Sequence, residues 1–296
     1  MSITVASGKG GTGKTTIATN LAKTIARTHA EGNKHPIWLI DCDVEEPNSA
    51  LFVHPLFEED KIVERYFPLI DQNKCIGCGK CVDVCTYHAL ALVADKVLFF
   101  KELCHTCGSC TLNCPEKAIY EKSETIGILQ RGTCEPLNFA HGTLEIGFSS
   151  PTPVIRDLKK WIITDATPQM ETYILDASPG TACPVVESLR GADFALLVTE
   201  PTPFGLHDLA LVWELIDKEF KIPCGIVINK AGRGDNIIEQ FAKEKNVPIL
   251  MRVPLSRDIA EAYSKGNLLV DAYPAYTNAF VDLFEKINDM VTVRQR

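Results

Sequence analysis

Nowhere in these 296 residues do about 18 apolar residues follow one another, which leaves no candidate for a membrane-spanning helix. Clustered basic runs are missing too. With 30 Lys and Arg against 38 Asp and Glu the formal net charge is −8, and nucleic-acid binding needs clustered positive charge, so no nucleic-acid partner is expected. The opening "SITVASGKGG" has no basic n-region, no long apolar h-region and no small-residue cleavage site. An apolar strand running straight into a glycine loop reads as unexported, and the expected location is cytoplasmic. Cysteine, by contrast, is abundant, at twelve residues. In a small secreted domain that richness would mean disulfides; in a cytoplasmic chain of this length it points to metal.

Hydrophobic content of 46% and charged content of 23% are enough for a packed core. Eight of the twelve cysteines lie between Cys75 and Cys114, and that stretch interrupts an alternation of strand and helix patterns. Before it come a strand at 3–7, a helix over about 14–29 and the strand "PIWLID", ending at Asp41. After it come "TYILDA" (172–177), "FALLVTE" (194–200), a helix over about 206–218, "CGIVIN" (224–229), a helix over roughly 235–245 and "PILMRVP" (248–254). Short Ile/Val/Leu-rich runs alternating with helices predict an α/β fold, a mainly parallel sheet covered by helices on both faces. The reading is a discontinuous domain, 1–58 and 127–296, with a small α+β insertion at 59–126. A final helix around 276–291 carries Phe280, Val281, Phe284, Ile287 and Val291 on one face. Its polar face is not markedly basic, so a packed terminal helix is expected rather than a membrane-targeting one.

"GKGGTGKT", Gly8 to Thr15, fits G-x-x-x-x-G-K-[ST] between a strand and a helix, the context that motif requires, and makes the domain a P-loop NTPase. The glycines permit backbone angles that turn successive N–H groups inward, and the helix N-terminus adds its dipole. Gly8, Gly10, Gly11, Thr12, Gly13, Lys14, Thr15 and Thr16 form the expected nucleotide cradle. Lys14 is expected to reach the β- and γ-phosphates, and Thr15 to hold Mg2+.

With Lys9 at its second position, this loop resembles the deviant Walker A motif of the MinD/ParA family, which includes the nitrogenase iron protein and the Mrp-type iron–sulfur carriers. The resemblance implies that Lys9 crosses a dimer interface and neutralises charge on the partner's nucleotide, an arginine-finger role supplied in trans. "LIDCDVEEPNSAL" is similar to the family's switch I, which implies that Asp43 orients the attacking water, with Asp41 a possible aid to Mg2+. "ILDASPGTACPV" is similar to Walker B and switch II. It implies that Asp176 binds Mg2+ through water and that Gly180 senses the γ-phosphate through its N–H. "VINKAG" places Asn229 and Lys230 where the family contacts adenine, and Pro254 follows the next strand as a second base contact. The resemblance covers about 1–58 and 127–296. It implies ATP binding and hydrolysis to ADP, and an ATP-dependent dimer with a second copy or with a paralogous ATPase.

Cys75-x2-Cys78-x2-Cys81-x3-Cys85 and Cys104-x2-Cys107-x2-Cys110-x3-Cys114 repeat one pattern twice. The spacing resembles that of bacterial two-cluster ferredoxins and implies two [4Fe–4S] clusters, the fourth cysteine of each run reaching across to the other cluster. Cys75, Cys78, Cys81 and Cys114 would then hold one, and Cys104, Cys107, Cys110 and Cys85 the other. Thr86 stands where the pattern usually has proline, which removes no ligand. Zinc also accepts four thiolates, although two interleaved runs are an unusual layout for it. His88 and His105 read as local packing residues. Cys42 and Cys224 read as buried small hydrophobes and Cys134 as a loop residue. Cys183 lies in switch II, where the nitrogenase iron protein has a cluster-holding cysteine. One such cysteine per subunit cannot complete a shared cluster, so it is read as structural.

The insertion follows switch I directly, so nucleotide state and cluster environment can be mechanically coupled. The whole chain resembles MinD-superfamily ATPases that carry an inserted ferredoxin domain, and "TEPTPFGLHDL" (199–209) is similar to that group as well. Two functions are open: electron delivery to a metalloprotein or other redox acceptor, and assembly or carriage of a metal–sulfur cofactor. Two complete sets of cluster cysteines favour electron delivery.

Overall fold

The computed structural model describes residues 1–31, 35–163 and 171–294. Strand β1 (Ser2–Ala6) runs into helix α1 (Lys14–Glu31), and β2 (Ile37–Asp41) is followed by a single turn, α2 (Ala50–Val53). Strand β3 (Leu56–Ile70) then leaves the body. It leads to α3 (Lys80–Asp83), the hairpin β4 (Leu90–Val93) and β5 (Lys96–Phe99), and α4 (Ser109–Leu112), before β6 (Ile119–Cys134) returns. The rest comprises β7 (Leu137–Leu144), α5 (Thr152–Ile162), β8 (Thr172–Asp176), α6 (Cys183–Leu189), β9 (Phe194–Thr199) and α7 (Pro203–Leu215). Last come β10 (Cys224–Ala231), α8 (Asp235–Lys245), β11 (Ile249–Pro254), α9 (Arg257–Ser264), α10 (Leu269–Ala272) and α11 (Tyr276–Arg294).

One nine-stranded sheet runs in the order β11-β10-β9-β1-β8-β2-β7-β6-β3. From β11 to β7 every pairing is parallel, while β6 and β3 continue the sheet in antiparallel fashion. Central strands β1, β8 and β9 are buried along their whole length, as strands covered on both faces must be. Along β9 the pleat sorts the core by parity. Phe194, Leu196 and Val198 join Ile17 and Leu21 of α1 and Phe280 and Ile287 of α11. Ala195 and Leu197 pack on the other face with Val185, Leu209 and Ile238 from α6, α7 and α8.

The terminal helix is a packed one. Phe280, Leu283, Ile287 and Val291 are buried, at the i, i+3, i+7, i+11 spacing of a single stripe, whereas Val281 and Phe284 flank that stripe half-buried. Helix α7 begins earlier than its apolar pattern indicates. Thr202 caps it, its hydroxyl accepting from the Gly205 N–H at 3.0 Å, with Pro203 in the first turn. Among the described residues no helix is long and apolar enough to cross a membrane.

Residues 71–118, which hold both cysteine runs, sit at the tip of the β3–β6 ribbon. Its pairing runs from Leu56↔Thr133 to Ile70↔Ile119, through positions 59 and 126, so the ribbon is an extension of the main sheet. Cys134, expected in a loop, ends β6 and is partly buried.

Candidate functional site

The P-loop spans the gap between β1 and α1, and at two of its glycines, Gly8 and Gly13, the chain has no room for anything larger. Gly13 has φ +91°, and a Cβ there would lie 2.1 Å from Asn229 Nδ2. That amide donates to the Thr12 carbonyl at 2.7 Å, tying β10 to the loop. A Cβ on Gly8 would meet the Asp208 carbonyl oxygen of α7 at 2.2 Å.

Asp41 and Asp176 end adjacent strands in register and are fully buried. Lys14 Nζ lies 2.5 Å from Asp176 Oδ1, and Ser49 Oγ donates to Asp176 Oδ2 at 3.0 Å. Asp41 accepts three backbone N–H groups, from Asp43 at 3.0 Å, Asn48 at 3.0 Å and Ser49 at 2.9 Å. It is therefore the hub around which the 43–49 segment folds. Burial, reinforced by Asp176, pushes the Asp41 carboxyl up to about 7. Burial also raises Asp43, to about 6, with Lys14 opposing and Asp176 assisting. For Lys14, burial favours the neutral amine, but Asp176, Asp41 and Asp43 together outweigh it and the net shift is upward. Three carboxylates around one ammonium make an excess of negative charge that a divalent cation would relieve.

Around this centre, Thr15 is buried in the first turn of α1. Two buried oxygens have no protein partner, Thr12 Oγ1 and Asn48 Oδ1. The cradle, its ammonium and these unmatched acceptors fit a magnesium–nucleotide complex: Gly8 to Thr16 would hold the phosphates, Thr15 and Asp176 the Mg2+. Gly180 (φ +97°) donates its N–H to the Ser7 carbonyl at 2.8 Å. Lys9 Nζ meets Glu200 Oε1 at 2.6 Å, and Lys230 Nζ meets Glu200 Oε2 and the Gly11 carbonyl, both at 2.9 Å. Pro254 pairs with Ala231 at the exposed end of β11. Sequence reasoning quoted Glu200 without a role, since its partner Lys9 is distant in the chain.

At the ribbon's tip the cysteines gather into two sets. Cys75, Cys78, Cys81 and Cys114 line one small hollow with Ile70, Val97 and Ile119. Cys85, Cys104, Cys107 and Cys110 line a second. The two halves repeat each other. Gly79 (φ +76°) and Gly108 (φ +74°) precede α3 and α4, and the N–H groups of Ala89 and Ala118 donate to Cys85 Sγ and Cys114 Sγ at 3.2 Å each. No three His, Cys, Asp or Glu side chains among the described residues converge on a single ion position. Four thiols spread around one hollow, with N–H groups aimed at sulfur, fit a cube of iron and sulfide. Cys81 and Cys110 are buried in the small core there, while Cys78 and Cys107 are exposed. Burial raises the Cys81, Cys104 and Cys110 thiols, and hydrogen bonding from Ser109 lowers Cys107. His105 stacks on Tyr87 at 3.6 Å and His88 is exposed. Of the remaining cysteines, burial pushes Cys42 up to about 12 and Cys224 to about 11, and Cys183 is exposed at the start of α6.

A helix not expected from the sequence, α5, bridges β3 and α6. At one end Asp157 Oδ2 accepts from Arg65 of β3 at 3.0 Å, and the Pro153 carbonyl accepts from the same guanidinium at 3.2 Å. Beside it Lys101, which pairs with Glu124, lies over Phe148 at 4.4 Å. Along α5, Lys159 Nζ donates to the carbonyls of Glu187, Ser188 and Arg190, and Arg156 clasps the buried Glu187 carboxylate at 3.2 and 3.1 Å.

Known proteins resemble the chain both as a whole and in part. The CobQ/CobB/MinD/ParA nucleotide binding domain matches residues 3–270. Two uncharacterised proteins of Methanocaldococcus jannaschii align along most of the chain. MJ0579 is 31% identical over 268 residues, 90% of each chain, and MJ0578 is 30% identical over 293 residues, 98% of each. An uncharacterised ferredoxin of that organism, MJ0722, is 40% identical over 58 residues, 18% of this chain and 75% of its own. The septum site-determining protein MinD of Pyrococcus horikoshii, solved with Mg-ADP, shares the fold with a TM-score of 0.56 at 17% identity, covering 99% of this chain and 97% of that one. The chain thus belongs to the CobQ/CobB/MinD/ParA nucleotide-binding family, as a MinD/ParA-type P-loop ATPase that carries a ferredoxin-like segment.

Proposed function

We propose that this ATPase couples nucleotide-dependent closure of a dimer to two [4Fe–4S] clusters and delivers electrons to a metalloprotein. The dimer forms with a second copy or a paralogous ATPase, in the cytoplasm. One observation supports the reading: the two segments read as nucleotide-sensing both connect to β3, the strand that leads into the cysteine loops. The 43–49 segment leads through α2 directly into β3. The segment containing Gly180 leads into α6, which Lys159 and Arg156 clamp to α5, and Asp157 of α5 grips Arg65 on β3. Rigid elements in series of this kind pass a displacement on when a γ-phosphate arrives or leaves.

In this reading Lys14 exchanges Asp176 for the β- and γ-phosphates, while Asp176 and Thr15 take the Mg2+ with Asp41 ordering the loop beside them. Asp43 orients the attacking water. The Gly180 N–H leaves the Ser7 carbonyl for the γ-phosphate. Asn229, Lys230 and Pro254 frame the adenine, and Lys9 serves the partner's nucleotide. Cys75, Cys78, Cys81 and Cys114 hold one cluster, and Cys85, Cys104, Cys107 and Cys110 the other, within an inserted unit of 59–126. When bound, each cluster supplies one-electron transfer. Burial of Cys81 and Cys110 favours electron delivery over cluster donation, because releasing those thiolates would open the small core they help to form.

The test is an anaerobic redox titration followed by EPR, run without nucleotide, with ADP·Mg2+ and with a non-hydrolysable ATP analogue. A shift of about 60 mV between states, near 1.4 kcal/mol for a one-electron centre, is expected. Unshifted potentials together with nucleotide-dependent loss of iron to an apo-acceptor would replace this reading with cofactor carriage.

A further inference from the structure

The stretch "TEPTPFGLHDL" takes no part in the reading above, yet it builds a rigid turn against the P-loop. Pro201 and Pro203 fix two φ angles, Thr199 Oγ1 donates to the Gly205 carbonyl at 3.0 Å, and Thr202 caps α7. Gly205 is pressed so close that a Cβ there would meet the Glu200 carbonyl oxygen at 2.1 Å. Glu200 is thereby presented at a fixed point, with its side chain only 14% exposed. One carboxylate oxygen takes Lys9 of the P-loop and the other takes Lys230 of β10. Those two ammonium groups hold its carboxyl below the ordinary glutamate range, so it remains an anion.

We infer that Glu200 is a positioning residue that latches Lys9 into its own subunit's site, so that Lys9 reaches a partner's nucleotide only when this ion pair is exchanged for phosphate. The inference rests on the trans role proposed for Lys9. An ammonium engaged with a carboxylate in its own chain must give up that contact on dimer closure, which weakens the dimer by the value of the pair. Nucleotide phosphates carry more charge than one carboxylate and win the exchange. Without nucleotide the latch keeps the interface short of a positive group.

The experiment is sedimentation velocity on the full-length, cluster-loaded protein with Mg2+ and a non-hydrolysable ATP analogue, for Glu200→Gln, Lys9→Ala and the double variant. Glu200→Gln keeps shape and removes charge. It is expected to tighten the dimer about five-fold, the scale of a partly exposed ion pair. In the Lys9→Ala background the same change is expected to do nothing, a non-additivity that a general structural role would not produce. Glu200→Ala is a second variant without the carboxylate and is expected to shift the dimer in the same direction. A dimer unchanged or weakened in a folded Glu200→Gln protein, with Lys9→Ala still deficient, overturns the latch alone. A normal dimer in Lys9→Ala overturns the trans role of Lys9 itself.

Discussion

Changing Lys159 to methionine removes one ammonium and keeps most of the apolar stem, which makes it a selective cut between α6 and α5. The ammonium donates to the Glu187, Ser188 and Arg190 carbonyls at 2.7, 2.9 and 2.6 Å, at the end of α6. Carbonyls at a helix C-terminus have no partner within the helix and sit at the negative end of its dipole, so a half-buried cation there meets both needs. Burial lowers the Lys159 pKa, which shows the cost of desolvating the ammonium at work against these bonds. A hydrogen bond to a charged group contributes about 1.5–3 kcal/mol. Three bonds sharing one partly desolvated ammonium do not add, and the expected loss is about 3 kcal/mol. At roughly 2 °C per kcal/mol for a chain of this size, the melting temperature should fall by about 6 °C. Thermal unfolding followed by circular dichroism on anaerobically purified protein measures this. The same samples, titrated by EPR, should show a smaller nucleotide response, the part carried by chain continuity into β3, while retaining both clusters and single-turnover ATP hydrolysis, because Lys14 and Asp43 are untouched. An unchanged melting temperature would mean that other donors already satisfy those carbonyls. A destabilised variant with a full nucleotide response would refute α5 as one of the two connections.

Cys114→Ser should abolish the cluster of Cys75, Cys78 and Cys81 and spare that of Cys104, halving iron from about eight atoms per chain to four. Iron analysis with EPR distinguishes this from loss of the Cys104 set, which would refute the interleaving. Lys14→Ala should abolish ATP hydrolysis without bleaching the visible cluster absorption; bleaching would show that the two sites are not built separately. Gly13→Ala forces a Cβ into Asn229 at a positive φ, and nucleotide affinity by calorimetry should fall about 5- to 30-fold, from strain of roughly 1–2 kcal/mol. At about pH 8, alkylation followed by mass spectrometry should modify exposed Cys183 and leave Cys42, which burial keeps as a neutral thiol well above that pH.

The parts legible in the sequence are those whose chemistry is local. A phosphate nest needs its glycines within one loop, four thiols around a cube need close spacing, and strands covered on both faces read as unbroken apolar runs. Each of these leaves its mark within a few residues of itself. The ribbon leaves no such mark. Over its first seven residues β3 is exposed on both faces, so "LFEEDKI" shows no alternation, and its partner β6 lies across the whole cysteine segment. Helix α5 carries a signal, with Val154, Ile155, Leu158 and Ile162 all buried on one face, but it begins inside "SSPTP", which reads as a loop. Glu200 and Lys159 were hidden for another reason. Each acts on groups that only the folded sheet brings near, Lys9 from the other end of the chain and the last carbonyls of α6. The two chemistries can thus be named from motifs, whereas the link between them depends on long-range pairs that no local pattern encodes. The arrangement also assigns the two switch segments different routes. The 43–49 segment acts through chain continuity into β3, and α6 acts through side-chain clamps on α5. Covalent continuity cannot be removed by a point substitution, but the clamps can, so the contribution of the Gly180 segment is the one that mutation can isolate.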